Sequence, residues 1–294
     1  MSYLLIGNIS ALISNDCVEP LVNARIRVYL PAVRRNDLNG MAGIFNDMRA
    51  LSAREVLMKA DQLLAEAVLD EKGNFSLQWD EVHLFTEELE VDLCLDRLPG
   101  SNGILQARNF HLSRLILPWK RHSSGYVGAY AYVIPAAIWR SIYARAGAWV
   151  IAGVVKHRPD AEGRAQLKVE AYNAVTGHVI GHAHTREKGK YIMHFSRRQL
   201  ERSAVQSHVV YGPDVYFKIY RDDRLLWAEN KRVATTPERK NLGPCSQLNI
   251  IYRPSRVRRA SEQIGNWLNE VIARSRRKNK KSENYRLLTP HSLI

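Results

Sequence analysis

The sequence predicts a mainly β protein: two tandem antiparallel β-sandwiches with helical inserts, a linking helix and a basic C-terminal helix. Three observations carry this. Short stretches alternate apolar and polar residues with a period of two, the mark of half-buried strands. Polar turns, several with glycine, separate them at the regular spacing of a sandwich. The order of these stretches also occurs twice along 294 residues, a length that supports two cores. The pattern divides the chain into 1–119 for the first sandwich, with a helical insert at about 38–66, and 120–148 for a linking segment with a helix. The second sandwich takes 149–252, and a basic amphipathic helix and tail take 253–294.

Each copy opens on a short strand carrying glycine, "LLIGNIS" at Leu4–Ser10 and "WVIAGVV" at Trp149–Val155. A strongly alternating strand follows. In the first copy Ala24, Ile26 and Val28 oppose Arg25, Arg27 and Tyr29; in the second Leu167, Val169 and Ala171 oppose Gln166, Lys168 and Glu170. Next comes the most recognisable repeat, Glu71-Lys72-Gly73-Asn74-Phe75 over Glu187-Lys188-Gly189-Lys190-Tyr191. It reads as a hairpin whose glycine takes a positive φ. Phe75, Leu77 and Trp79, and likewise Tyr191, Met193 and Phe195, alternate into the core beyond it. Gly73 and Gly189 are therefore expected to be turn-structural residues, because the repeat duplicates turn chemistry rather than convergent reactive groups. A last pair of strands closes each copy, "LEVDLCL" then "GILQARNFHL", and "PDVYFKIYRDDRLLWAEN" with a polar turn at Arg221–Arg224.

The helices are read from caps and stripes. Ser52 and Glu55 have capping-box spacing, and Val56, Leu57, Ala60, Leu63 and Leu64 mark a helical face in the first insert. "SRRQLERSAVQ" gives a short basic helix or an ordered loop in the second copy. Pro135 starts a helix striped by Ile138, Trp139, Ile142 and Tyr143, with Gly147 as its stop. A linker this apolar packs on its neighbours. Ile264, Trp267, Leu268, Val271 and Ile272 stripe a helix over Ser261–Arg274.

The quoted stretches "PLVNARIRVYLP", "LLAEAVLDEKGNF" and "AQLKVEAYNAVTGHVIGHAHTREKGKYIMHF" resemble transthyretin-like modules, also called carboxypeptidase regulatory-like or prealbumin-like domains. The resemblance covers roughly Ser2–Trp119 and Trp149–Tyr252. It implies sandwiches of about seven strands that serve structural, adhesive or assembly roles. Tandem versions without signal peptides resemble accessory proteins of bacterial toxin complexes and phage-tail-like contractile injection particles. The resemblance implies no catalytic residue and no cofactor.

The formal net charge of +14 points to an anionic partner, and the tail concentrates it: ten Lys or Arg against two acids between Arg253 and Lys281. The expected anchor is the tail's apolar stripe with Arg258, Arg259, Arg274, Arg276 and Arg277 around it, docking on a protein assembly. Nucleic acid or an anionic lipid surface is the alternative partner. Three dispersed cysteines make neither a disulfide framework nor a zinc site and suit a reducing cytoplasm. "MSYLLIGNISALI" lacks the basic region and cleavage site of a signal peptide, so cytoplasmic synthesis is expected, with release from the cell as part of a particle. His178, His182 and His184, with His194 nearby, could hold a metal, but no partner ligands stand at the right spacing. "NIIYRPS" is superficially similar to a motif of hydroxyisourate hydrolases. The first strands lack the histidine those enzymes share, and Pro254 replaces their glycine. No phosphate loop, nucleophile elbow or zinc-protease helix is present, and the chain is expected not to be an enzyme.

Overall fold

The computed structural model describes residues 2–14, 16–31, 48–80, 84, 86–101, 108–123, 125–201 and 212–253. The first unit contains β1 (Ser2–Ser14), β2 (Cys17–Pro20), β3 (Ala24–Tyr29), β4 (Arg49–Leu51) and β5 (Leu63–Val68). It continues with β6 (Asn74–Asp80), β7 (Leu89–Leu95), β8 (Arg108–Leu115), β9 (Lys120–His122) and β10 (Gly125–Ile134). One sheet is built on β1, which pairs antiparallel with β6 and β2 and parallel with β10, itself paired to β9. The other sheet has the order β4-β8-β7-β3-β5.

The second unit repeats the plan. It contains β11 (Ala148–Lys156), β12 (Lys168–Asn173), β13 (Val179–His184) and β14 (Lys190–Ser196), then β15 (Val215–Arg221), β16 (Arg224–Ala228), β17 (Cys245–Gln247) and β18 (Ile250–Ile251). β11 pairs antiparallel with β14 and parallel with β17 and β18, as β1 does with β6 and β10. The facing sheet runs β13-β12-β15-β16. The chain is thus a mainly β protein of two sandwiches.

Alternation in the sequence becomes burial. Ala24, Ile26 and Val28, and Leu167, Val169 and Ala171, are fully buried, as are Val215, Phe217 and Ile219. Each of the Val, Leu, Ile and Phe side chains contributes about 1.5–3 kcal/mol by leaving water. Tyr29, expected on the outer face of its strand, is buried as well. The first strands share a close approach at glycine. Gly7 faces Phe75 across the ladder, and Gly153 faces Tyr191. Backbone and ring together occupy the space a side chain would need: a Cβ on Gly7 would lie 1.9 Å from Tyr130 O and 2.6 Å from Phe75 Cζ, and one on Gly153 2.0 Å from Leu248 O and 3.1 Å from Tyr191 Cε1.

Three features differ from the sequence reading. The repeated glycine element is a corner between sheets, not a hairpin: β5 pairs with β3 while β6 pairs with β1, and β13 pairs with β12 while β14 pairs with β11. The turn itself is hairpin-like, which is why the two cannot be told apart locally. Asp70 N–H donates to Asn74 O (2.9 Å) and Gly73 N–H to Asp70 O (3.0 Å); Arg186 N–H donates to Lys190 O (2.7 Å) and Gly189 N–H to Arg186 O (3.0 Å). Beyond the turn the strands part, because each sheet must present one apolar face to the other.

Among the described residues the first insert is helical at α1 (Ala53–Met58) and in a 3-10 turn at Ala60–Gln62. The capping box of α1 forms, with Glu55 N–H donating to Ser52 Oγ at 3.2 Å and Ser52 N–H to Glu55 Oε2 at 2.8 Å. Leu63 and Leu64 instead begin β5, where strand pairing with β3 satisfies the backbone and only one side meets the core. Third, much of the segment read as a linker belongs to the first sheet. β10 lies along β1 from Ser2 to Ala11, the longest ladder in the first unit. The linker helix itself is α2 (Ala136–Ala146), ending at Gly147, with Trp139, Ile142 and Tyr143 buried. The basic segment of the second copy starts as α3 (Arg197–Glu201).

Candidate interaction surfaces and the junction between the sandwiches

The expected anchor residues Arg258, Arg259, Ile264, Trp267, Leu268, Val271, Ile272, Arg274, Arg276 and Arg277 lie outside the described residues. Gly73 and Gly189 occupy the two sheet corners with φ of 76° and 70°. His182 and His184 are exposed on β13, opposite Glu170 and Lys168 of β12, and His178 is exposed just before the strand. His194 points elsewhere, to Glu19 of the first unit. Among the described residues no group of three or more His, Cys, Asp or Glu could hold a metal ion. The three cysteines are free.

The junction is built by α2, which lies against β1 on one side and β11 and β17 on the other. β11 is therefore buried on both faces. Trp149 and Ile151 join the core of the second sandwich, while Ala148, Val150 and Ala152 join the apolar cluster of the first, together with Cys245. In the middle of this contact sits Glu19, 4% exposed. Its carboxylate accepts from Trp139 Nε1 (3.0 Å) and from the Tyr143 hydroxyl (3.3 Å), and meets His194 Nε2 at 2.5 Å. Burial, then the charge of Glu19, pushes the Tyr143 hydroxyl well above the ordinary tyrosine range, which keeps it a donor. Trp139 and Tyr143 meet edge to face at 5.2 Å. Ser14 Oγ donates to Gln247 Oε1 at 2.5 Å across the same boundary. Sequence reasoning did not find Glu19. A signal existed in the stripe of α2, where a buried Trp and Tyr four residues apart both need an acceptor.

The outer faces of the β3- and β12-containing sheets are equivalent in the fold and differ in chemistry. In the first sandwich the face is neutralised from within. Arg25 pairs with Asp96 (2.6 Å) and Glu66 (3.0 Å), and Arg27 also pairs with Glu66. Lys59, which follows α1, reaches Glu90 (2.7 Å) and Asp92 (3.1 Å), and His111 Nδ1 meets Asp92 at 2.9 Å. In the second sandwich the face carries Tyr172, Tyr216, Tyr220, Lys168 and Lys218. Tyr172 and Tyr216 stack at 5.2 Å. Lys218 Nζ lies 4.1 Å from the centre of the Tyr172 ring. The Tyr172 hydroxyl donates to Glu170 at 2.6 Å, and Lys168 holds the other oxygen of Glu170 at 2.9 Å.

Several carboxylates are held below their ordinary range: Asp96 by its hydrogen bonds from Arg25, Asp70 by the backbone N–H of Asn74, and Glu55 to about 2 by the Ser52 backbone and Arg49. Groups lowered on folding stabilise the protein above their unfolded values, near 4, and lose that contribution as pH falls through the lower folded values. From these groups, thermal melts should lose stability as the pH falls below about 4. Asp96→Asn should flatten that acid limb; an unchanged slope would remove the Arg25 pair from the account.

No family model and no curated protein matches the chain. Among solved structures it is similar to the Bacillus anthracis TIE protein, at 9% identity and a TM-score of 0.23, over 87% of this chain and 34% of that one. The chain thus spans about a third of that protein's length. It is also similar to the shaft pilin SpaA from Lactobacillus rhamnosus GG, at 8% identity and a TM-score of 0.24, over 87% of this chain and 98% of the pilin. A third is GBS52, the minor pilin of Streptococcus agalactiae, at 10% identity and a TM-score of 0.24, over 86% and 95%. Scores this low assign neither a family nor an activity.

Proposed function

We propose that this chain is a non-catalytic assembly protein that docks into a larger protein complex through its sandwich surfaces and its basic C-terminal segment. The junction carries the reading. Glu19, Trp139, Tyr143 and His194 tie together groups from both units, and an apolar cluster runs through the same contact. Domains joined only by a tether move independently by default; domains joined by a buried contact keep their surfaces at a fixed spacing. A component of an ordered assembly needs that spacing. The repeated residues, moreover, are those of corners and cores. The transthyretin-like resemblance points the same way, and the assembly it favours is a phage-tail-like contractile injection particle, with release from the cell as part of that particle.

A tagged pull-down from the native host, with nuclease present and at low and high salt, tests this. Sheath, tube or baseplate proteins retained at high salt support the reading, since buried apolar contacts resist salt. Partners that vanish with nuclease or salt would replace it by an anionic-ligand module held by charge. If the tail is the anchor, Trp267→Asp with Leu268→Asp releases the complex while both sandwiches stay folded. Retained complex in that variant counts against the tail.

A further inference from the structure

We propose that the outer face of β12, β13, β15 and β16 is a docking surface for an acidic peptide segment of a partner protein, with Tyr216, Lys218 and Tyr220 as its centre. The inference rests on the assembly reading and adds the chemistry of one contact.

The two sandwiches serve as controls for each other. The same face of the first is satisfied by its own carboxylates: each of Arg25, Arg27 and Lys59 is ion-paired. On the second face the row across the sheet is His182, Glu170 and Lys218, and the next row is His184, Lys168 and Tyr220. Its central carboxylate, Glu170, is taken up by Lys168 and the Tyr172 hydroxyl. Asp223, in the turn after β15, lies near Lys168 and adds to the negative charge at that end. Lys218 is left with the Tyr172 ring beneath it and, among the described residues, no carboxylate at ion-pair distance. An ammonium held over a buried ring, with the half-buried Tyr216 and Tyr220 beside it on the same strand face, is prepared to receive a carboxylate; the exposed His182 and His184 lie on the far side of β12. Tyrosine supplies contact area at low entropic cost, the composition of the energetic centre of protein interfaces.

The same geometry argues against nucleic acid. Base stacking needs open ring faces. Here Tyr172 and Tyr216 stack on each other and Lys218 covers Tyr172, while Glu170 stands in the row a phosphate chain would follow.

The test is fluorescence anisotropy with the full chain and a labelled peptide of alternating glutamate and leucine, beside its lysine counterpart and oligo-dT. The glutamate peptide should bind and the lysine peptide should not. Lys218→Glu and Tyr216→Ala should each weaken binding about tenfold or more, and Lys218→Arg should retain it. Unchanged melting temperatures exclude unfolding as the cause; should Tyr216→Ala prove unstable, Lys218→Glu decides alone. Equal binding of both peptides, no binding of the glutamate peptide, or tighter oligo-dT binding lost with Lys218→Glu overturns the proposal. The assembly reading is judged separately. Capture of the native complex by a chain whose face fails the peptide assay would overturn this surface and leave that reading standing.

Discussion

Gly73→Val is expected to unfold the first sandwich or lower its stability by more than about 4 kcal/mol, and Gly189→Val to do the same to the second. Two costs combine. The backbone sits at φ 76° and 70°, where a β-branched residue is a steric outlier. There is also no room: a Cβ on Gly73 would lie 2.3 Å from Ile9 O, and one on Gly189 2.6 Å from Val155 O. Neither contact can relax cheaply, because the backbone it meets belongs to the central strands. Ile9 N–H donates to Gly73 O at 2.8 Å, Leu21 N–H to Ile9 O at 3.2 Å and Arg164 N–H to Val155 O at 3.1 Å, so moving the corner breaks the ladder beside it. Gly→Ala should be milder than Gly→Val but still severe. Thermal melts with both variants check this. A variant that melts like the parent yet loses its partner would turn the corner from scaffold into site.

Glu19→Ala should be strongly destabilising. It leaves Trp139 Nε1, the Tyr143 hydroxyl and His194 without their common acceptor. A buried donor left without a partner costs about 1–3 kcal/mol. Glu19→Gln keeps an acceptor oxygen and should cost less. The stronger expectation concerns cooperativity. With the junction weakened, calorimetry should resolve two transitions, one per sandwich, where the parent gives one. A single transition at an unchanged temperature would mean the two units are held by apolar contact alone, and the proposed rigidity would rest on Val150, Cys245 and their neighbours instead.

Legibility followed the range of the interactions. β3 and β12 could be read because alternation at Ala24–Val28 and Leu167–Ala171 is a property of adjacent residues. So could the positive φ of Gly73 and Gly189 and the Ser52–Glu55 capping box. The corner was misread as a hairpin because a turn's own hydrogen bonds are the same in both; only the distant partners, β1 and β3, separate them. Leu63 and Leu64 fit a helical stripe by spacing, yet strand pairing with β3 outweighs a propensity worth a few tenths of a kcal/mol per residue. β10 was hidden because its partner β1 lies more than a hundred residues away.

What the sequence determined by itself was the mainly β class, the duplication, the inward set of each strand and the stops of α2, all set by neighbours along the chain. Tertiary structure decided which strands share a sheet, that Glu19 is the acceptor at the junction, and that one outer face is neutralised while its counterpart is not. Those outcomes depend on which distant groups meet. A carboxylate's effect is set by the donors and charges within a few ångströms of it, and the chain order does not specify them.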